Sequence, residues 1–179
     1  MAALKREYLP NYTYSDYLQW QGDWEMIYGI PYAMAPSPSI AHQSISNKIA
    51  WLLEEALKEC EVCKALLPID WKVSDNTIVQ PDNLVICHKP LHANYIAKAP
   101  KIIFEILSPS TAIKDQNMKY ELYEQEGVAY YVIVNPKDGI AKLYKLKEGR
   151  YIKVADVSDE SVEFDLDNCS FSFDFSKIW

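Results

Sequence analysis

A chain of 179 residues that is 49% apolar can bury one substantial core, so we predict a single domain over residues 1–179. No apolar run approaches the roughly 20 residues that cross a membrane, and the N-terminus lacks the apolar segment of a signal peptide. The formal net charge of -7, with two arginines, disfavours nucleic-acid binding, because phosphate contacts normally use a basic surface.

The first elements are predicted to be a short helix and a β-hairpin. Thr13 followed by Asp16 is typical of a capping box at a helix start. The segment from Trp24 to Met34 indicates a hairpin that turns near Tyr28-Gly29. Glu25 lies on the first strand of this hairpin, where it is either an exposed cross-strand charge or part of a site.

A long amphipathic helix is predicted next. The serines of Pro36–Ser39 can cap its start, and apolar residues recur at helical spacing through Ala41–Cys60, which indicates a helix that covers a sheet. His42 lies one turn before the first buried position, so it either packs at the helix start or reaches toward a site.

The cysteines carry a weak zinc signal. Cys60 and Cys63 form a single C-x-x-C, and Cys87, His88 and His92 follow at irregular spacing. Because no second C-x-x-C is present, we expect the cysteines to be buried structural thiols. Four cysteines in a chain of this size do not indicate a disulfide scaffold, which favours a reducing cytoplasm.

Two antiparallel strands are predicted over Ala65–Val73 and Ile78–Cys87, joined by a turn at Asn76. Pro81 interrupts the second strand and is therefore expected at an edge or a bulge. Asp82 follows Pro81 directly and adjoins an apolar run.

Glu105 is a charged residue within an apolar segment that is predicted to be a buried strand. On the predicted strand Ile102–Leu107, alternation places Glu105 with Ile103 and Leu107 on an otherwise apolar face. A buried carboxylate is costly to desolvate, so it is usually paired, hydrogen-bonded or bound to a cation. Glu105 is therefore either a satisfied structural carboxylate or a site residue.

A helix and a parallel strand are predicted to follow. Ser110 or Thr111 can cap a helix over Ala112–Glu126, and Val128–Val134 reads as a buried strand parallel to the strand of Glu105. Lys119 lies beside the apolar stripe of this helix. One interpretation is a surface ion pair with Asp115 at i,i+4 spacing.

The C-terminal part predicts a hairpin over Ile140–Val154 and a last strand containing Phe171, Phe173 and Phe175. The hairpin holds the one basic concentration of the chain, made of Lys142, Lys145, Lys147, Arg150 and Lys153. Lysines that guard a solvated edge strand explain this concentration as well as a nucleic-acid contact does.

Several segments in order carry a resemblance to a known family. They are Y-T-Y-S-D-Y-L at 12–18, W-E-M-I-Y-G-I-P at 24–31, S-P-S-I-A-H-Q at 37–43, V-Q-P-D at 79–82, E-I-L-S-P-S-T at 105–111, K-D-Q-N-M-K-Y-E-L-Y at 114–123 and G-V-A-Y-Y-V-I-V-N-P at 127–136. The sequence resembles the PD-(D/E)xK nuclease superfamily, and more closely its Uma branch of restriction-endonuclease-like proteins. The resemblance implies an α+β (α/β) fold, with a restriction endonuclease-like mixed sheet flanked by helices and extended by terminal hairpins.

The resemblance also implies a metal-dependent nuclease site. The superfamily lysine would stand at position 107, which is Leu107 here, and the Uma pattern moves it to a helix residue that matches Lys119. The implied catalytic set is Glu25, Asp82, Glu105 and Lys119. The three acids are expected to bind Mg²⁺ or Mn²⁺, whereas Lys119, Gln80 and His42 are expected to contact the substrate.

The resemblance implies nucleic acid, and DNA in particular, as the substrate. We expect a cytoplasmic protein without a membrane partner and leave a homodimer open. Two alternatives stay open. One is a catalytically inactive nuclease-like module for binding or assembly, which the acidic net charge favours. The other is a zinc-binding domain built on Cys60 and Cys63.

Overall fold

The computed structural model of the protein describes residues 8–34, 37–109, 112–166 and 169–179. The α-helices are α1 (Tyr14–Tyr17), α2 (Ile40–Leu57) and α3 (Tyr120–Gln125). A π-helix (Lys114–Lys119) leads directly into α3, and a short 3₁₀-helix (Phe175–Lys177) lies near the C-terminus. The strands are β1 (Trp24–Ile27), β2 (Ile30–Ala33), β3 (Lys64–Leu66), β4 (Asp70–Ser74), β5 (Thr77–Val79), β6 (Asn83–Ile86), β7 (Tyr95–Ile96), β8 (Ile102–Ile106), β9 (Tyr130–Asn135), β10 (Ile140–Lys147), β11 (Arg150–Val157), β12 (Ser161–Phe164) and β13 (Phe171–Asp174).

A six-stranded mixed sheet forms the centre of the fold, in the order β11-β10-β9-β8-β6-β3. β8 and β9 are parallel, with Glu105 opposite Ile133, whereas the other neighbours in this sheet are antiparallel. The predicted strand–helix–strand unit is therefore confirmed. The two buried strands are joined through the π-helix and α3, which lie between them in the chain.

The central sheet is covered on both faces. Ile102, Phe104 and Ile106 of β8 pack in one core with α2 and the hairpin β12–β13. Ile103 packs in the other core, with α3 and a second sheet of order β2-β1-β5-β4-β7. The alternation predicted for this strand is confirmed, and it places Glu105 on the face that looks toward α3 and the second sheet.

The chain changes sheets at Pro81. β5 belongs to the five-stranded sheet and β6 to the six-stranded sheet, so the interruption at this proline is a junction between the two sheets. The prediction of one strand over Ala65–Val73 is wrong. This segment is divided into β3 and β4, because each part finds its pairing partners in a different sheet.

The helix starts and turns agree with the local signals. Tyr28 and Gly29 both adopt positive φ, at 53° and 79°, in the predicted hairpin turn. Ser39 caps α2 by accepting a hydrogen bond from the backbone N–H of His42 at 3.2 Å. The predicted caps Ser110 and Thr111 lie outside the described residues.

The cysteine expectation is wrong, because none of the four is a free thiol. The structure joins Cys60 to Cys169 and Cys63 to Cys87 as disulfides. Cys169 lies just before β13, and Cys87 follows β6. Among the helices of the described ranges, none is long and apolar enough to cross a membrane.

Candidate active site

A cleft of about 950 Å³ opens where the two sheets meet. The chain reaches it from β1, from the β5–β6 junction, from the end of β8 and from the start of α2. Its lining includes Glu25, His42, Gln80, Asp82, Glu105 and Lys114. The structure therefore brings five of the six predicted site residues to one cleft and adds a lysine that the sequence interpretation missed.

Glu105 is 2% exposed and is held by two donors. Its Oε1 accepts hydrogen bonds from Lys119 Nζ at 2.9 Å and from the Tyr123 hydroxyl at 2.7 Å. Burial raises the pKa of Glu105 well above its ordinary value. The attraction of Lys119 opposes this shift, whereas neighbouring carboxylates add to it. A cation placed beside Glu105 would therefore favour its ionised form.

Glu25 is fully buried on β1, so its exposed cross-strand interpretation is wrong. Its Oε1 accepts from the backbone N–H of Gln80 at 2.8 Å and lies 2.8 Å from Lys119 Nζ, while Oε2 pairs with Lys114. Burial alone would raise the pKa of Glu25, but the two lysines and the backbone N–H reverse the shift and lower it. Glu25 is therefore an ionised carboxylate held in place by cations.

Lys119 is 3% exposed, so the surface-pair interpretation is wrong. Its ammonium lies 2.8 Å from Glu25 and 2.9 Å from Glu105, and 3.6 Å from Asp115. Burial would lower the pKa of Lys119, but these carboxylates raise it well above its ordinary value. The charged ammonium therefore sits between the two glutamates, and Lys119 is not among the described residues that line the cleft.

The π-helix explains why Lys114 was missed. In an α-helix, residues five positions apart point about 140° away from each other, so Lys114 and Lys119 would not share a partner. In a π-helix, which bonds i to i+5, such residues lie on one side. Both ammonium groups consequently reach Glu25. No local sequence signal distinguished this π-helix from the predicted α-helix.

Asp82 and His42 form a second pair at the cleft. Asp82 directly precedes β6, whose first residue Asn83 stands opposite Phe104 of β8, so Asp82 lies beside the end of β8 that carries Glu105. Asp82 Oδ2 accepts from the backbone N–H of Ile106 at 2.7 Å and lies 3.2 Å from His42 Nε2. The hydrogen bond to Asp82 raises the pKa of His42, against the opposing effect of burial. His42 thus reaches the site from the first turn of α2.

Gln80 lines the cleft through the β5–β6 junction. Its backbone N–H holds Glu25, and its side-chain Nε2 donates to Asp70 Oδ1 at 3.1 Å. Asp70 also accepts from the Tyr17 hydroxyl at 3.1 Å. The side chain of Gln80 is therefore oriented by α1 and β4.

The donor set fits a hard divalent cation. Four carboxyl groups, those of Glu25, Asp82, Glu105 and Asp115, meet two lysine ammonium groups here. With all four ionised, the acids outnumber the lysines, and a divalent cation would offset the difference. Both oxygens of Glu25 hold N–H or ammonium groups. Within the described part of the chain, the hydrogen bonds engage Oε1 of Glu105 and Oδ2 of Asp82, so each keeps an oxygen for a cation. Oxygen ligands of this kind are those that Mg²⁺ and Mn²⁺ prefer.

A mixed sheet flanked by helices, with acids where its strands end beside a second sheet, defines a restriction endonuclease-like α+β fold. The model of the Uma2 family, described as "Putative restriction endonuclease", matches residues 14–168. The chain therefore belongs to the Uma2 family. It is also similar to the crystal structure of "a putative nuclease belonging to DUF820" from Anabaena variabilis ATCC 29413, with a TM-score of 0.76 and 17% identity over 93% of this chain and 97% of that chain. Among curated proteins, none matches significantly.

Proposed function

We propose that the protein is a metal-dependent nuclease that hydrolyses phosphodiester bonds of DNA. The observation that carries this proposal is the placement of Asp82 and Glu105 at one cleft, where Asp82 accepts from the backbone N–H that follows Glu105 and the ammonium of Lys119 lies beside Glu105. Membership of the Uma2 family supports the same reaction class.

Asp82 and Glu105 would hold the cation, because each keeps a carboxylate oxygen for it. Glu25, which the resemblance assigns to the metal, fits better as the acid that anchors both lysines. When bound, Mg²⁺ or Mn²⁺ supplies a polarised water and neutralises charge on the phosphate. The imidazole of His42 orients Asp82, and its Nε2 can accept a proton from the cleft or release one to it.

The two lysines would divide the role that the resemblance gives to one. Lys119 is enclosed between Glu25 and Glu105, so it positions these carboxylates and balances their charge. Lys114 lines the cleft and its side chain is 14% exposed, which lets its ammonium turn toward a phosphate. A lysine beside the developing negative charge stabilises the transition state.

The basic residues of the β10–β11 hairpin contribute less to this proposal. β11 is an edge strand of the described six-stranded sheet. Lys153 pairs with Asp156 at 2.6 Å, and Arg150 pairs with Glu124 at 2.9 Å. These pairs support the role of guarding an edge. Phosphate contacts would instead depend on the cation and Lys114, which is compatible with a net charge of -7.

The second candidate is a catalytically inactive module for binding or assembly. The observation that favours it is the pairing of Glu25 and Glu105 with buried lysine, which already satisfies much of their charge. A cytoplasmic location and a homodimer also stay proposals, to be tested by cell fractionation and light scattering.

The deciding experiment is a cleavage assay on plasmid DNA, linear DNA and single-stranded RNA with Mg²⁺, Mn²⁺ or a chelator. We expect cation-dependent DNA cleavage that falls by at least about a hundredfold in Asp82→Asn and Glu105→Gln. Asp159→Asn is the matched control, because Asp159 is exposed and does not line the cleft. Calorimetry should show weaker Mg²⁺ binding in both site variants. Absent cleavage in every substrate, with intact folding, would favour the binding module.

A further inference from the structure

The four cysteines converge on one place at the far end of α2 from the cleft. Cys60 and Cys63 follow α2, Cys87 follows β6, and Cys169 precedes β13. The sulfur atoms of Cys60, Cys63 and Cys169 all lie within 4.8 Å of one another, and Cys87 is bonded to Cys63. The second ligand pair that the sequence lacked is thus supplied by two distant segments.

This arrangement has the chemistry of a tetrathiolate site. Four sulfur ligands at about 2.3 Å from a tetrahedral Zn²⁺ lie about 3.8 Å from each other, which is within the span of this cluster. The backbone N–H of Cys63 donates to Cys60 Sγ at 3.1 Å. Such N–H···S bonds orient the ligand and stabilise the negative charge of a thiolate.

We propose that the reduced chain binds one Zn²⁺ through Cys60, Cys63, Cys87 and Cys169. In the disulfide state, a cellular dithiol would first deliver two electrons and two protons to each bond and become a disulfide itself. Zn²⁺ then replaces the four thiol protons, which are released to solvent. A reducing compartment would favour the thiol state, which is the state that binds Zn²⁺.

The site would be structural. All four zinc positions are filled by protein, which leaves none for a substrate. His42 and Leu57 are separated by fifteen helical steps of α2, or roughly 20 Å, so the cluster is remote from the acids. Cys60 and Cys169 are 109 residues apart, and a metal joining them would fix the C-terminal hairpin against α2 and β6.

The test is metal analysis of protein purified under reducing conditions, followed by Co²⁺ substitution. We expect one zinc per chain, and a cobalt derivative with the visible bands of tetrahedral thiolate coordination. Cys63→Ser and Cys169→Ser should lose stoichiometric zinc. His88→Ala changes a neighbouring residue that can bind metal, and Glu105→Gln changes an acid of the remote cleft. Both variants should keep the zinc.

The wild-type measurements decide the proposal even where a serine variant fails to fold. Two disulfides that persist in reducing medium would overturn it. So would a fully reduced chain, confirmed by four titratable thiols, that takes up neither zinc nor cobalt. Iron with acid-labile sulfide in place of zinc would overturn it as well. None of these results depends on nuclease activity, so the zinc site and the nuclease proposal can fail separately.

Discussion

Replacing Lys119 by methionine tests the buried charge network directly. Methionine preserves most of the side-chain length and removes the ammonium that lies 2.8 Å from Glu25 and 2.9 Å from Glu105. At an effective dielectric constant of 20, each of these contacts corresponds to a gross attraction of about 6 kcal/mol. In the wild type, the cost of desolvating the ammonium offsets much of that attraction. In Lys119→Met, the two carboxylates stay buried but lose the positive charge of the ammonium.

We expect Lys119→Met to lower the free energy of unfolding by about 3–5 kcal/mol. Without the ammonium, burial raises the pKa of these carboxyls, so they can limit the loss by taking up protons. A group whose folded-state pKa is raised contributes stability at low pH and loses it as pH rises. The loss should therefore be smaller near pH 5 than near pH 8.

Denaturant unfolding followed by circular dichroism, at pH 5 and at pH 8, measures the loss of stability and its dependence on pH. Lys58→Met is the matched control, because Lys58 is 63% exposed and its ammonium lies 3.9 Å from Glu55. We expect the control to lose less than about 1 kcal/mol. Adding Glu105→Gln to Lys119→Met should recover part of the stability, since the two residues are coupled. A loss below about 1 kcal/mol for Lys119→Met itself would refute the reasoning.

Two further predictions concern residues outside the cleft. Glu124 accepts a β11 backbone N–H at 2.6 Å, which lowers its pKa, so Glu124→Gln should cost about 1 kcal/mol at neutral pH. A depressed pKa gives stability that is complete above the ordinary carboxyl pKa and is lost as pH falls through the folded-state pKa. The stability difference between the wild type and Glu124→Gln should therefore vanish in acid. The control Glu121→Gln changes an exposed residue and should alter the free energy of unfolding little at any pH. Gly29 has φ +79°, and an added Cβ would lie 2.8 Å from Asn11 Cα. Gly29→Ala should therefore destabilise more than Gly139→Ala, which has φ +60° but no atom within 4 Å, and equal losses in denaturant unfolding would contradict the close approach.

Local sequence patterns determined the strands, turns and caps whose signals lie within a few residues. Alternation along Ile102–Leu107 identified the face that carries Glu105, and the Tyr28-Gly29 turn fixed the first hairpin. The order of motifs along the chain identified the Uma2 family and with it Glu25, Asp82 and Glu105 as neighbours at one site. These features were predictable because each depends on period, turn chemistry or a recognisable motif.

Tertiary structure alone decided how deeply the site is buried and which lysine side chains pair with its carboxylates. The i,i+4 spacing of Asp115 and Lys119 is the same on a surface and in a core, so spacing could not show that the second sheet covers this helix face. The π-helix that aligns Lys114 with Lys119 has no signature in helical periodicity. The division of residues 65–73 between two sheets likewise depends on distant pairing partners.

The sequence by itself therefore determined most strands and turns, the family, and Glu25, Asp82 and Glu105 of the cleft. The convergence of Cys87 and Cys169 on the Cys60–Cys63 pair, and the enclosure of Lys119 between two glutamates, came only from the folded chain. The physical reason is that hydrogen-bonding period and turn geometry are set by near neighbours. Burial, charge pairing and cysteine contacts depend on distant segments, such as those of Cys60 and Cys169, which lie 109 residues apart.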